Sequence, residues 1–351
     1  MSPRTRHVTV ATLGIALVSV ALFAFTLRQA GLRAIVEFVG RVGWGGFSVI
    51  LVLSGLRLAA RSLAWMQCVE GEIRLRFGDA LIATLMGEAL GNVTPFATVL
   101  SEPAKAVLVR DRVPLVASFS GIVVENIVYA ASVAGMIVLG ALAFLCSYDM
   151  EPALRLTSLG AIGVMLIVVA ATVVLLGTRA APVSGLLDRL SARSATPRWM
   201  SSRAATVRRF EERIGSFGSR NRSRLARLAF CEALFHAAGV AEVFVVLLLA
   251  VPGAAPTLIT ALILESTGRA INVAFRFVPM RMGVDEAGSG LMTLALGLGT
   301  APGVTLGLVR KARISVWTGI GVALLLHRGL SVRRALDAAA AVTRETGTGP
   351  T

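Results

Sequence analysis

The sequence predicts an all-α polytopic membrane protein: six full transmembrane helices plus two re-entrant helical hairpins, arranged as an inverted repeat. Three observations lead there. The 351 residues are 55% hydrophobic and only 16% charged, with a mean hydropathy of +0.76; soluble domains are about 25% charged. Apolar residues gather in runs long enough to cross a bilayer at ~1.5 Å per helical residue. Two more apolar segments are broken by proline, asparagine and charge. Broken backbone survives at membrane depth only where protein or a water-filled cavity satisfies it. A soluble enzyme is excluded as the default, because so apolar a chain cannot solubilise two globular cores.

Residues 8–27 are uncharged and follow Arg4 and Arg6. The run is longer than a typical signal core and no small-residue cleavage site follows, so it reads as a retained first helix. Further spans fall at about residues 45–69, 115–145, 157–177, 228–251 and 301–326. The broken segments are residues 79–101, with Glu88, Gly91, Asn92 and Pro95, and residues 256–285, with Glu265, Arg269, Asn272, Arg276 and Pro279. Eight plain spans is the alternative.

The net charge of +15 fits cytoplasmic loops, since excess Lys and Arg set membrane orientation. Loop 178–227 holds twelve Arg against Asp188, Glu211 and Glu212 and is expected in the cytoplasm. The Asp149/Glu151 loop is then external, while the Lys105/Arg110/Arg112 loop and the tail with Arg328, Arg333 and Arg334 are cytoplasmic. Both termini are thus expected inside, in the inner membrane. Residues 28–41, with three Arg and one Glu, fall outside against the rule. Loop 178–227 reads as a topology determinant or as a surface for anionic headgroups, worth about 1 kcal/mol per basic residue. Nucleic acid is not an expected partner, because only Trp199, Phe210 and Phe217 could stack on bases there. Cys68, Cys146 and Cys231 form no paired or zinc-like motif and read as membrane-facing hydrophobes.

The two broken segments share a pattern. Glu102 follows Pro95 by seven residues and Glu286 follows Pro279 by seven, with Asn92-Val93 and Asn272-Val273 upstream. Short helix-like stretches come next, at residues 103–112 and 287–299. A full span follows each, with Glu125 23 residues after Glu102 and Arg310 24 after Glu286. Opposite placement in the membrane would make this an inverted repeat, whose broken helices form a midplane site in many transporters. The divisions expected are residues 1–156, residues 157–326 with the basic loop 178–227, and a tail at 327–351.

Ionisable residues inside spans cost ~2.5–3.5 kcal/mol each at mid-helix, and many are kept. Arg57 and Arg61 share a helix face; Arg61 is expected to snorkel to the interface near Trp65, leaving Arg57 as the cavity-facing cation. Glu265, Arg269 and Arg276 lie on one stripe, the first two as a local ion pair. Glu232 and His236 read as a buried hydrogen-bonded pair, with a proton relay as the other reading. If the repeats pack around a pseudo-twofold, Glu125 would meet Arg310, Lys311 and Arg313 or face the same water-filled cleft with them, as a structural or a functional pair. No nucleophile elbow, nucleotide loop, zinc-protease motif or paired-carboxylate signature occurs, so neither an enzyme, a metal nor a cofactor is expected.

The stretch Arg276-Phe277-Val278-Pro279-Met280-Arg281-Met282-Gly283-Val284-Asp285-Glu286-Ala287-Gly288, then Ala295-Leu296-Gly297 and Leu308-Val309-Arg310-Lys311-Ala312-Arg313, resembles the signature of the flippase-like family. That family comprises the membrane half of lysylphosphatidylglycerol synthases and its stand-alone relatives, including hopanoid-associated ones. Gly91-Asn92-Val93-Thr94-Pro95, Glu102-Pro103-Ala104-Lys105 and Val124-Glu125 are similar to its N-terminal pattern. The resemblance covers residues 8 to 326. Ser101, Lys105 and Asn126 stand where the family has Gly, Arg and Arg, and Lys lacks the bidentate fork of Arg. The chain ends soon after the last span, so the resemblance implies the translocator half without the synthase.

The expected function is a lipid translocator moving a phospholipid or hopanoid-type lipid with an anionic or polar headgroup between leaflets. Arg57, Glu88, Asn92, Glu102, Lys105, Glu125, Arg269, Arg276, Glu286 and Arg310 would line a hydrated path. Glu102 and Glu286 would carry protons if transport is proton-coupled. The alternative is a non-transporting accessory subunit with a lipid- or glycan-biosynthesis enzyme as partner.

Overall fold

The computed structural model describes residues 32–69, 75–93, 97–148, 152–177, 185, 208, 217, 222–250, 256–275 and 283–327. The expected first span, most of the basic loop, Pro95, Arg276, Pro279 and the tail lie outside the described residues.

The described residues form nine helices and no strand. They are α1 (Leu32–Cys68), α2 (Phe77–Val93), α3 (Ala97–Leu108), α4 (Leu115–Ser147), α5 (Pro152–Gly177), α6 (Arg222–Ala250), α7 (Leu258–Ala274), α8 (Val284–Ala295) and α9 (Ala301–His327). α1 is broken at Gly43 (φ 76, ψ 160), a backbone conformation that L side chains rarely adopt. Thr257 caps α7, its side chain accepting from the Thr260 amide at 3.1 Å. Extended backbone at Tyr148 ends α4.

Gly43–Cys68, Leu115–Ser147, Pro152–Leu176 and Arg222–Leu249 are each long and apolar enough to cross a membrane. The run expected at 301–326 is helical, but every 18-residue stretch of α9 contains Arg310, Lys311 and Arg313. It is therefore too charged to count with the other four. α2 and α7 have 17 residues and α3 and α8 have 12. At ~1.5 Å per residue none of these four reaches across a ~30 Å hydrocarbon core alone. α3 begins before the stretch expected from residue 103, so Glu102 and Pro103 lie inside it.

The packing follows a repeated order. A long helix, a 17-residue helix, a 12-residue helix and another long helix occur as α1–α4 and again as α6–α9. α1 packs along α6. α2 meets α9 as α7 meets α4, and α3 meets α4 as α8 meets α9. α5 leans on α4 and turns Leu156, Ile167 and Val173 outward, as a lipid-facing helix does.

One apolar core joins α1, α4, α6, α7, α8 and α9 through Ile50, Phe144, Val243, Leu264, Leu296 and Leu306, all buried. A second joins α1 to α4 through Trp65, Ala83, Ala106 and Ile122. Cys68 and Cys231 sit in a third cluster, packed against protein rather than membrane, which corrects the expectation for both; Cys146 is exposed. Lipid tails are as apolar as these side chains, so close packing and polar contacts hold such helices together rather than expulsion of water.

Candidate functional site: a buried ion-pair network

Where α1, α6, α7 and α9 meet, four arginines surround two glutamates. Glu242 Oε2 accepts from Arg57 Nη1 at 3.0 Å and from Arg313 Nη1 at 2.9 Å. Glu265 Oε1 accepts from Arg269 one turn along α7 and lies 3.8 Å from Arg57 Nη2. Its other oxygen accepts from Arg310 Nη2 at 3.3 Å. Arg310 also donates to Ser289 Oγ of α8 and to the Leu264 carbonyl, and Arg313 donates to Ser54 Oγ. The Phe235 ring lies 4.8 Å from the Arg57 guanidinium and 4.6 Å from that of Arg269, so its face adds cation–π attraction. All six charged side chains are buried.

Two glycines make room. A Cβ on Gly239 of α6 would stand 2.5 Å from Glu265 Oε1, and one on Gly268 of α7 would collide with the Arg310 guanidinium. Any larger residue there would push the carboxylate and the guanidinium off each other.

Smaller pairs surround this centre. Arg61 Nε lies 3.1 Å from Glu125 Oε1, and its guanidinium stacks 3.8 Å over the Tyr129 ring. Lys105 donates to Glu102 at 3.1 Å within α3. Lys311 of α9 pairs with Glu286 of α8. Ser132 Oγ donates to Glu232 Oε2 at 2.9 Å and lies 3.1 Å from His236 Nε2. In a serine nucleophile triad the carboxylate orients the far ring nitrogen of the histidine. Here it holds the serine instead, and His236 Nδ1 has no hydrogen-bond partner among the described residues. Among the described residues no group of three or more His, Cys, Asp or Glu could hold a metal ion.

Arg57, Arg269 and Arg310 thus come together, and the expected Glu265–Arg269 pair forms. Glu102, Lys105, Glu125 and Glu286 lie in the surrounding pairs. Asn92 Nδ2 donates to Thr318 Oγ1 at 3.0 Å, tying α2 to α9. Glu88 is half-buried on α2 and joins none of these ion pairs. Arg276 lies outside the described residues.

Three expectations are corrected. Arg61 does not snorkel; it is buried against Glu125, and Trp65 beside it is a core residue donating to the Ser118 carbonyl. Glu125 meets Arg61 rather than Arg310, Lys311 or Arg313, because α9 turns its cations towards α6, α7 and α8. Glu232 and His236 are bridged by Ser132 instead of bonding each other. Sequence reasoning missed Glu242 altogether and left Arg313, Lys311 and Phe235 out of the site. An acid in the middle of an otherwise apolar span was the available signal for Glu242, since intramembrane ionisable residues are functional candidates by default.

Apolar helices long enough to cross a bilayer, packed around a buried charged network, define a multi-pass helical membrane protein. Residues 11–322 match the family model described as lysylphosphatidylglycerol synthase TM region, and the chain belongs to that family. No curated protein and no solved structure matches it.

Proposed function

We propose that the chain moves a lipid with an anionic or polar headgroup, a phospholipid or hopanoid-type lipid, between the leaflets of the inner membrane. One observation carries this reading: six charged residues from four helices are buried in one network at the junction of two similarly ordered halves. Taking a headgroup charge into hydrocarbon makes unaided flipping slow, and a path of paired protein charges lowers that barrier. Membership of a family named for a lipid synthase's membrane region supports a lipid as cargo.

In this reading α1–α4 and α6–α9 are inverted repeats. α2–α3 and α7–α8 are re-entrant hairpins, and both termini face the cytoplasm. Arg57, Arg269 and Arg310, with Glu242 and Arg313, form the midplane station. Glu102 and Glu286 hold corresponding positions in the two halves; Glu102 pairs with Lys105 of its own helix and Glu286 with Lys311 of the next, and in this reading both act as exchangeable pairs. Glu102 and Glu286 would carry protons. We assign the chain no catalytic step.

The test is leaflet exchange of fluorescent lipids, hopanoids included, in proteoliposomes of wild type and Glu286→Gln, with and without a pH gradient. Exchange by wild type, accelerated by the gradient and insensitive to it in Glu286→Gln, is expected. Gradient sensitivity surviving in Glu286→Gln would remove the proton role. No exchange of any lipid would favour an accessory subunit working beside a biosynthetic enzyme.

A further inference from the structure

Among the described residues the central network is not charge-balanced. Arg57, Arg269, Arg310 and Arg313 touch two carboxylates, Glu242 and Glu265, leaving an excess of two positive charges. The flanking pairs show no such excess: Arg61 has Glu125, Lys105 has Glu102 and Lys311 has Glu286. Glu232, on the same helix as Glu242, accepts from Ser132 Oγ and interacts with Arg61 and Arg269 only through space, in no ion pair with either among the described residues. Arginine stays protonated in proteins, so the imbalance cannot be relieved by losing protons. Burying unpaired charge is strongly unfavourable unless a counter-charge arrives.

The same arginines keep unused donors. Arg57 Nε, Arg269 Nε and Arg313 Nε are buried and have no hydrogen-bond partner among the described residues, and the three side chains are 11%, 7% and 10% exposed. Phosphate suits such donors, since guanidinium and phosphate form short, charge-assisted bonds, often two at a time. A phosphodiester brings one negative charge; a phosphate monoester brings about 1.5 to 2 at neutral pH and three acceptor oxygens. Only the monoester matches an excess of two.

We propose that the Arg57–Arg269–Arg310–Arg313 cluster binds a phosphate monoester dianion, presented as the terminal headgroup of a lipid. The lipid source rests on the translocation reading; the dianion does not. The cargo class is then a lipid whose phosphate carries no further substituent. A net-cationic phospholipid would add positive charge to a site already in excess, and a zwitterionic one would leave the excess as it is.

The experiment measures binding to the full purified chain in nanodiscs, comparing phosphatidic acid, phosphatidylglycerol and inorganic phosphate. Wild type is expected to bind phosphatidic acid at least about tenfold more tightly than phosphatidylglycerol, the ratio that about 1.4 kcal/mol of preference gives. Arg313→Gln leaves an excess of one, and the two lipids should bind nearly alike. The double variant Glu242→Gln/Arg313→Gln restores an excess of two, so the preference should return. That return separates charge matching from a damaged fold. Equal binding of both lipids by wild type overturns the proposal, as does an undiminished preference in Arg313→Gln. Inorganic phosphate binding as tightly as phosphatidic acid and displacing it would keep the dianion and assign it to free phosphate. Weak inorganic phosphate supports the lipid source. Equal binding alongside rapid phosphatidylglycerol exchange would sink the monoester and leave translocation standing. Phosphatidic acid preference with no exchange of any lipid would do the reverse.

Discussion

Glu242 accepts from two arginines through one oxygen, so neutralising it strips both Arg57 and Arg313 of their shared counter-ion. Glu242→Gln is expected to cost about 3–5 kcal/mol, the range for removing one partner of a buried pair. A lowered thermal midpoint of the purified protein would report it. Removing Arg313 in the same chain should recover part of that loss, with an interaction energy above ~0.5 kcal/mol in the double-mutant cycle. Strict additivity would mean that the two side chains do not depend on each other. Arg57, Arg269 and Arg310 were legible from sequence because a charge inside an apolar run costs enough to need a reason. Their partners were not, because Arg57 and Glu242 are 185 residues apart and only packing brings them together. Arg61 was misread for a related cause. Tryptophan beside arginine suggests a membrane interface, yet Trp65 lies in the core of α1–α4 and takes Arg61 inward with it.

At the scale of the helix, hydropathy located α4, α5 and α6 well, because a strongly apolar run of bilayer length has few alternatives. Broken segments were legible as broken, from Asn92 with Pro95 and from Arg276 with Pro279. Their division into helices of 17 and 12 residues was not, since Glu102 and Pro103 were placed at a boundary that the helix runs through. α9 shows the limit of composition: its three central cations make it a poor span by itself, and they are tolerated because Glu242, Glu265 and Glu286 receive them. The start of α7, which carries Glu265 and Arg269, depends on the Thr257 cap. Thr257→Ala should cost about 1 kcal/mol, seen as faster amide hydrogen exchange in the first turn of α7. Unchanged exchange there would show that packing, not the cap, holds that end.

For the whole molecule, the recurrence of helix order in α1–α4 and α6–α9 gives two similar frames around one charged centre. The sequence pattern pointed to that recurrence through the matched spacing of Pro95 to Glu102 and Pro279 to Glu286. It did not reveal that the charges would collect on one side of the pairing, with α9 supplying cations to α6 and α7 while α4 supplies an acid to α1. Translocation through that centre is best tested by lipid exchange between leaflets in proteoliposomes containing wild type, Arg310→Lys or Gly160→Ala. Lysine keeps the charge at position 310 but cannot reproduce the contacts that Arg310 makes to Glu265, Ser289 and the Leu264 carbonyl. Gly160 lies exposed on α5, where an added Cβ meets nothing within 4 Å. Exchange should slow at least about tenfold in Arg310→Lys, the loss expected from about 1.4 kcal/mol of barrier, and stay at the wild-type rate in Gly160→Ala. Wild-type exchange in Arg310→Lys, with the protein folded and inserted, would contradict a path through the buried network.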